Sequence, residues 1–278
     1  MRPVRLAVGD VEIEVDLDEG ARATSWRVAG HELLAHHGDN PVEHGMYPMA
    51  PWAGRVRGNE VSWADRTQAL PVTYGPWALH GTVLTQSGAV VLEEHGADEA
   101  CVIARFDEHP GWPWLASVDV AWLLQPRRLT TTITVNAVDA PFPAVVGWHP
   151  WFRRDLGVGE PLEWSLDASA RLVRGDDHLP TGALADYGRA EGPFDDAFVA
   201  EAARVRWPGA VCLDIASDGG WFVVFDELAR SVCVEPQSGP PDGLRDMAGF
   251  PPSIARPGEP VVLTSSWTIS DDPRADRA

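Results

Sequence analysis

The segment Val11-Glu12-Ile13-Glu14-Val15-Asp16-Leu17 alternates apolar and acidic residues without a break. Only a β-strand buries one face and wets the other with that spacing, because its side chains repeat every two residues. The alternation returns in Val118-Asp119-Val120-Ala121-Trp122-Leu123-Leu124, in the β-branched Leu129-Thr130-Thr131-Thr132-Ile133-Thr134-Val135 and in residues 261–269. No window carries the long, well-capped helical period that βαβ units need. Gly and Pro, at 26 and 24 copies, punctuate the chain throughout. Many short strands joined by such turns predict an all-β protein, a sandwich or barrel. No composition break marks a boundary, so residues 1–270 read as a single domain, as large β structures of this length often are. Residues 271–278 read as a polar, frayed C-terminal tail. Residues 171–196, rich in Asp, Gly and Pro, are expected to be mostly loop, and long loops in compact domains are often functional.

The formal net charge is −19, and all 22 fixed cations are arginines. The absence of lysine excludes Schiff-base aldolases, enzymes that hold pyridoxal phosphate on a lysine, and P-loop phosphate sites. The acidic balance argues against nucleic acid and anionic membrane surfaces as partners, since both require clustered positive charge. Cys101, Cys212 and Cys233 are scattered with no CxxC pair, which fits buried free thiols in a reducing compartment. The N-terminus has no apolar signal-peptide core, and no stretch approaches the roughly 18 apolar residues of a membrane span. A cytoplasmic protein is expected.

Five segments carry candidate chemistry. In Val232-Cys233-Val234-Glu235-Pro236-Gln237-Ser238 a carboxylate ends an apolar strand that follows the hydrophobic run Trp221-Phe222-Val223-Val224-Phe225. Burial there would push the Glu235 pKa upward, toward values useful in a general base. Read alone, it could equally be a strand-end Glu in solvent or paired with Arg. His149 lies in Gly147-Trp148-His149-Pro150-Trp151-Phe152, an aromatic wall that would fix its ring as a proton donor or acceptor near neutral pH. Its plainer role is a core-edge imidazole bonded to backbone. Arg55 follows the Pro51-Trp52-Ala53-Gly54 turn, His80 sits in Leu79-His80-Gly81, and Asp195 begins Asp195-Asp196-Ala197-Phe198. Each of these could instead be a surface pair, a turn residue or a cap. The 13 Trp residues mostly fill the core, although flat aromatic faces also serve as platforms for the C–H faces of sugars.

Together these segments resemble the aldose 1-epimerase (galactose mutarotase-like) family. The Pro-Trp turn ending in Arg matches Pro51 to Arg55, and the His-Gly pair matches His80-Gly81. The Gly-x-His-Pro-Tyr-Phe pattern matches Gly147 to Phe152, the acidic Asp-x-x-Phe pattern matches Asp195 to Phe198, and the Glu-Pro pattern matches Glu235-Pro236. The matches run in family order over residues 48–242. Gly54 stands where the family often has Asn, and Trp151 where Tyr is common; both bear on which sugar is taken.

The resemblance implies a large antiparallel β-sandwich, the galactose mutarotase-like supersandwich. It implies interconversion of α and β anomers of a sugar hemiacetal, with Glu235 as base and His149 as acid. Arg55, His80 and Asp195 would bind the sugar hydroxyls, with Asp196 a rival for the place of Asp195. No cofactor or metal is implied, and the partner is a small-molecule sugar. An unperturbed imidazole near ~6.5 would suit the acid, and the expected rate profile is a bell with its acidic limb set by Glu235 and its alkaline limb by His149. Three alternatives stay open. One is a zinc or iron triad of His80, His149 and Glu235. Another is a sugar-binding sandwich without turnover. The third is epimerisation of a hexose 6-phosphate, which would need a cluster of arginines.

Overall fold

The alternating segments are strands close to the expected bounds: Val11–Asp16, Ala116–Gln125, Arg128–Ala137 and Val261–Asp271. In the first, Val11, Ile13 and Val15 are buried while Glu12, Glu14 and Asp16 are partly exposed, as the alternation demands. The structure is a computed structural model that describes residues 3–38, 40–189, 191–246 and 249–272. Among them there is no α-helix, only three short 3-10 turns.

Among the described residues every pairing between strands is antiparallel, and an isolated bridge between Ala50 and Gly81 is parallel. One layer runs in the order Ala89–His95, Ala100–Phe106, Ala116–Gln125, Arg128–Ala137, Val261–Asp271, Val211–Ser217 and Asp195–Trp207. The last of these strands belongs to both layers. Its residues 202–207 pair with Val211–Ser217, whereas residues 195–199 pair with Trp221–Phe225. From there the second layer continues through Ser231–Gln237, Gly147–Pro150, Met46–Met49, Arg22–Val28, Val11–Asp16 and Val4–Val8. A long strand that changes layers in this way makes the corner of a sandwich. Tryptophans join the layers inside. Trp26 meets Trp267 edge-on at 5.8 Å, and Trp122 meets Trp148 at 4.7 Å. Trp26, Trp52, Trp122, Trp148, Trp207 and Trp267 are fully buried and Trp112, Trp114, Trp151 and Trp221 nearly so, so core filling accounts for most of the tryptophans.

Two expectations need correction. Residues 171–196 hold more strand than expected, although just over half of them lie outside strands. The strand Glu163–Arg174 extends into them and forms a hairpin with Pro180–Ala185, and Asp195 opens the next strand. That hairpin is largely wet, so its Asp and Gly content reflects solvent on its surface and not the absence of a ladder. The C-terminal tail also begins later than Asp271. Asp271 ends a strand opposite Val211 and accepts a hydrogen bond from Arg127 at 2.7 Å, and Asp272 accepts one from Arg206 at 2.7 Å. Residues 273–278 lie outside the described residues. Among the described residues no helix is long and apolar enough to cross a membrane.

Candidate active site

The period-2 rule decides which side chains of the second layer look the same way. On Ser231–Gln237 it sends Cys233, Glu235 and Gln237 to one face. Glu235 stands opposite Val223 and Cys233 opposite Phe225 on the next strand. One strand further on, Asp195 stands opposite Phe225, so it shares that face, and Asp196 does not. On the other flank Gly147 pairs with Gln237, which sets His149 two residues along the same face, opposite Tyr47.

That face floors a cavity of about 320 Å³ lined by Arg55, His80, His149, Trp151, Asp195, Glu235 and Gln237, with Tyr74 and Glu43 at its edge. This lies at the small end of the range for ligand pockets, roughly 300–1,000 Å³, and suits one monosaccharide better than a chain of them. Asp195 lines the cavity, whereas Asp196 turns away to pair with Arg171 at 3.0 Å and Arg174 at 3.4 Å. Of the two rival aspartates, Asp195 is the one that lines this cavity.

His149 and Glu235 meet at the floor, with Nε2 standing 3.3 Å from Oε1. Both are nearly sealed, at 6% and 2% exposure. The His149 ring is held between the faces of Tyr47 and Trp151, at centroid distances of 4.8 and 5.1 Å, and makes a T-shaped contact with His80 at 4.9 Å. Trp148, the adjacent tryptophan, points the other way into the core. Glu235 Oε2 accepts a hydrogen bond from the Gln237 side-chain amide at 3.1 Å, which leaves the buried Gln237 Oε1 without a partner among the described residues. An orphaned acceptor facing a cavity is a place for a ligand hydroxyl.

Burial dominates the electrostatics of the pair. It pushes the Glu235 carboxyl well above its ordinary range, and the negative charge of Asp195 adds to the rise. Burial, with the charge of Arg22 behind Tyr47, lowers the His149 imidazole to about 3. The expected upward shift of Glu235 is therefore present. The expectation of a near-neutral His149 is corrected, because a sealed imidazole beside a buried arginine disfavours its own cation. His80 is likewise lowered well below its ordinary value by burial, His149 and Arg55, so it is neutral.

Two turns bring in the remaining residues. Gly54 has φ of 71°, and a Cβ there would lie 2.8 Å from Pro241 Cβ, which explains why a larger residue is absent before Arg55. Its N–H donates to His80 Nδ1 at 3.2 Å, so the His80 proton sits on Nε2. His80 itself adopts a left-handed φ of 61°, a strained state for a residue with a Cβ and one that recurs at functional sites. Gly81 must follow it, since a Cβ there would fall 1.9 Å from Ala50 O. Arg55 donates to Asp195 Oδ2 at 3.2 Å, and Arg174 donates to the same oxygen at 2.9 Å.

All five residues singled out from the sequence thus line one cavity. The sequence reading missed Tyr47, Gln237 and Arg174. Gln237 was within reach, since it lies two residues after Glu235 on the same strand face, whereas Tyr47 and Arg174 carry no local signal. The suggested metal triad of His80, His149 and Glu235 is not the grouping the fold makes. Among the described residues the one set of three His, Cys, Asp or Glu donors lying within 4.8 Å of one another is His149, Cys233 and Glu235.

The aldose 1-epimerase family model matches residues 12–204. This chain belongs to the aldose 1-epimerase family. The matched stretch holds Arg55, His80, His149 and Asp195, and Glu235 lies beyond it. A curated relative, the uncharacterized protein YphB of Escherichia coli K12, is 27% identical over 151 residues, which is 53% of this chain and 50% of that protein. The chain thus matches about half the length of this curated relative. Among solved structures, a galactose mutarotase-like protein from Clostridium acetobutylicum superposes with a TM-score of 0.85 at 15% identity, covering 97% of this chain and 95% of the other. A GalM/aldose epimerase homologue from C. elegans superposes with a TM-score of 0.78 at 16% identity, covering 97% and 98%. The antiparallel sandwich is the fold of these epimerase-like proteins.

Proposed function

We propose that this member of the aldose 1-epimerase family interconverts the α and β anomers of an uncharged aldose by acid–base ring opening and closing, without a cofactor. The observation that carries the reading is the 3.3 Å contact between His149 Nε2 and Glu235 Oε1 on the floor of a monosaccharide-sized cavity. Anomerisation needs a proton removed from the anomeric hydroxyl and another delivered to the ring oxygen. Both oxygens are bonded to the same carbon, so acid and base must be neighbours, as these two are.

Opposed burial shifts leave the pair holding one proton over a wide pH range. Burial alone favours that proton on Glu235. The form with carboxylate and imidazolium is one transfer away, and the positive charge of Arg55 favours the carboxylate. Glu235 then takes the anomeric proton while His149 gives one to the ring oxygen. The ring opens, the C1–C2 bond turns, and the roles reverse on closure. His80 Nε2–H, Arg55, Asp195 and the free Gln237 Oε1 bind hydroxyls around the ring, and Trp151 offers an apolar face.

Charge at the rim supports a neutral substrate. Arg55, Arg171 and Arg174 are all already paired with Asp195 or Asp196, so a phosphate would have to displace an acid to gain a cation. The test is NMR saturation exchange between anomers across free and phosphorylated hexoses and pentoses. Exchange with at least one free sugar, exceeding that with its phosphate, is expected. A folded protein that binds sugars without accelerating exchange would make it a carbohydrate-binding sandwich. Faster exchange of the phosphates would overturn the neutral-substrate reading.

A further inference from the structure

Cys233 is fully buried and lies outside the acid–base chemistry, yet its Sγ is within 4.8 Å of ligand atoms on both His149 and Glu235. We propose that these three residues form a binding site for a thiophilic divalent cation, Zn²⁺ above all, and that the ion and the sugar exclude one another. The exclusion rests on the reading of the cavity given above; the metal site itself does not.

The donor set is chemically specific. A thiolate, an imidazole and a carboxylate together suit Zn²⁺ and its softer analogues and disfavour Mg²⁺ or Ca²⁺, which prefer oxygen-only shells. The geometry is close to that of an occupied site. Zn–N and Zn–O bonds of about 2.0–2.2 Å meeting tetrahedrally put the two ligand atoms roughly 3.3–3.6 Å apart, and Nε2 and Oε1 already stand 3.3 Å apart. With a Zn–S bond of about 2.3 Å a tetrahedral shell puts sulfur roughly 3.6 Å from its fellow ligands, and the Cys233 sulfur already lies within 4.8 Å of a ligand atom on each. Rotation of a short side chain on an otherwise ordered strand can supply the difference. Glu235 keeps one oxygen on Gln237, which orients its carboxyl as outer partners orient metal ligands. Three protein ligands leave the fourth position of a tetrahedron open.

Binding at neutral pH releases the thiol proton, because the cation stabilises the thiolate that burial opposes. It would also occupy the Nε2 and Oε1 atoms that the sugar oxygens need. Zn²⁺ is therefore expected to inhibit anomer exchange competitively with sugar. Sulfur does not touch the sugar in the proposed reaction, so removing the thiol is expected to spare turnover while weakening inhibition.

Equilibrium dialysis of the whole protein against Zn²⁺, and the absorption spectrum of its Co²⁺ form, read the site without reference to activity. One ion per wild-type chain is expected, with a thiolate-to-cobalt charge-transfer band. Cys233→Ser and Cys233→Ala should lose the band and bind at least about tenfold more weakly, since loss even of an outer partner costs roughly 10- to 100-fold. The Zn²⁺ concentration that half-inhibits exchange should rise by the same factor, with metal-free exchange rates retained. His149→Asn provides a second variant that should also lose the ion, should either Cys233 substitution fail to fold. Absence of stoichiometric binding in wild type, unchanged binding in folded Cys233 variants, or a cobalt spectrum without the thiolate band would overturn the proposal. Were the metal-free protein inactive in exchange, the epimerase reading would fail, and dialysis and spectrum would still decide the metal site.

Discussion

Glu235 and Asp195 face one cavity from two strands separated by a single strand between them, and the protein treats the two carboxylates in opposite ways. Glu235 lies at the floor, 2% exposed, with an amide and an imidazole for company. Asp195 lies at the rim, held by Arg55 at 3.2 Å and Arg174 at 2.9 Å. In the proposed mechanism the floor carries the group that exchanges its proton, and the rim carries one that binds sugar hydroxyls. The same chemical group acquires two roles from burial and neighbouring charge. The negative charge of Asp195 even helps to hold the Glu235 pKa up.

The sharpest way to break this contrast is substitution at the floor. Glu235→Gln should lower the anomer exchange rate roughly 10²–10⁴-fold or more while preserving a cooperative melt, and His149→Asn should do much the same. Because the two residues act as a unit, the double variant should be scarcely worse than either single one. Near wild-type exchange in folded Glu235→Gln would remove Glu235 from the mechanism.

Rim substitutions should cost less. Arg55→Ala and Asp195→Asn remove charged hydrogen bonds worth about 1.5–3 kcal/mol, or roughly 10- to 100-fold in kcat/KM, with a visible rise in KM. Equal losses at floor and rim would erase the distinction drawn between them. An Arg55→Ala variant with unaltered kinetics on every active sugar would mean that the sugar sits elsewhere.

The pH profile separates the pair itself. His149 falls to about 3 and Glu235 rises well above 4.5, so the singly protonated pair lies between those values. The acidic limb of exchange is then set low, by the imidazole, and the alkaline limb by the carboxyl. This reverses the order expected from ordinary pKa values. Glu235→Asp should shift the alkaline limb and leave the acidic one. Movement of the acidic limb alone would restore the original order.

Stability carries a weaker trace of the same physics. A carboxyl with a raised folded pKa contributes stability that is fully present below its ordinary value of 4.5 and is lost as pH rises through the raised value. A lowered imidazole contributes above 6.5 and loses that contribution as pH falls toward 3. Glu235→Gln should therefore gain in Tm over wild type at about pH 8 and gain less at about pH 4. A gain that shrinks with rising pH would contradict a buried, reluctant carboxylate. The smallest effect expected is that of chelation. EDTA should not lower exchange and should relieve inhibition by any bound Zn²⁺, and loss of turnover on removing a stoichiometric metal would show that the ion takes part in the reaction.

What could be read from the residues alone was whatever depends on short-range periodicity and on side-chain chemistry. Alternation over Val11 to Leu17 and Val118 to Leu124 predicts strands because the two-residue repeat is local. An apolar run around Glu235 predicts a raised pKa because desolvation acts on whatever the run surrounds. Short ordered motifs brought Arg55, His80, His149, Asp195 and Glu235 into one family pattern. Other features depend on which strands become neighbours, and no local pattern encodes that. Register across Trp221–Phe225 turns Asp195 into the cavity and Asp196 out of it. Packing brings Tyr47 against His149 and buries Arg22 beyond it, so that the imidazole titrates far below its usual range. The alternation of one strand puts Cys233 on the face of Glu235, so the three donors that lie together there are His149, Cys233 and Glu235 and not His80.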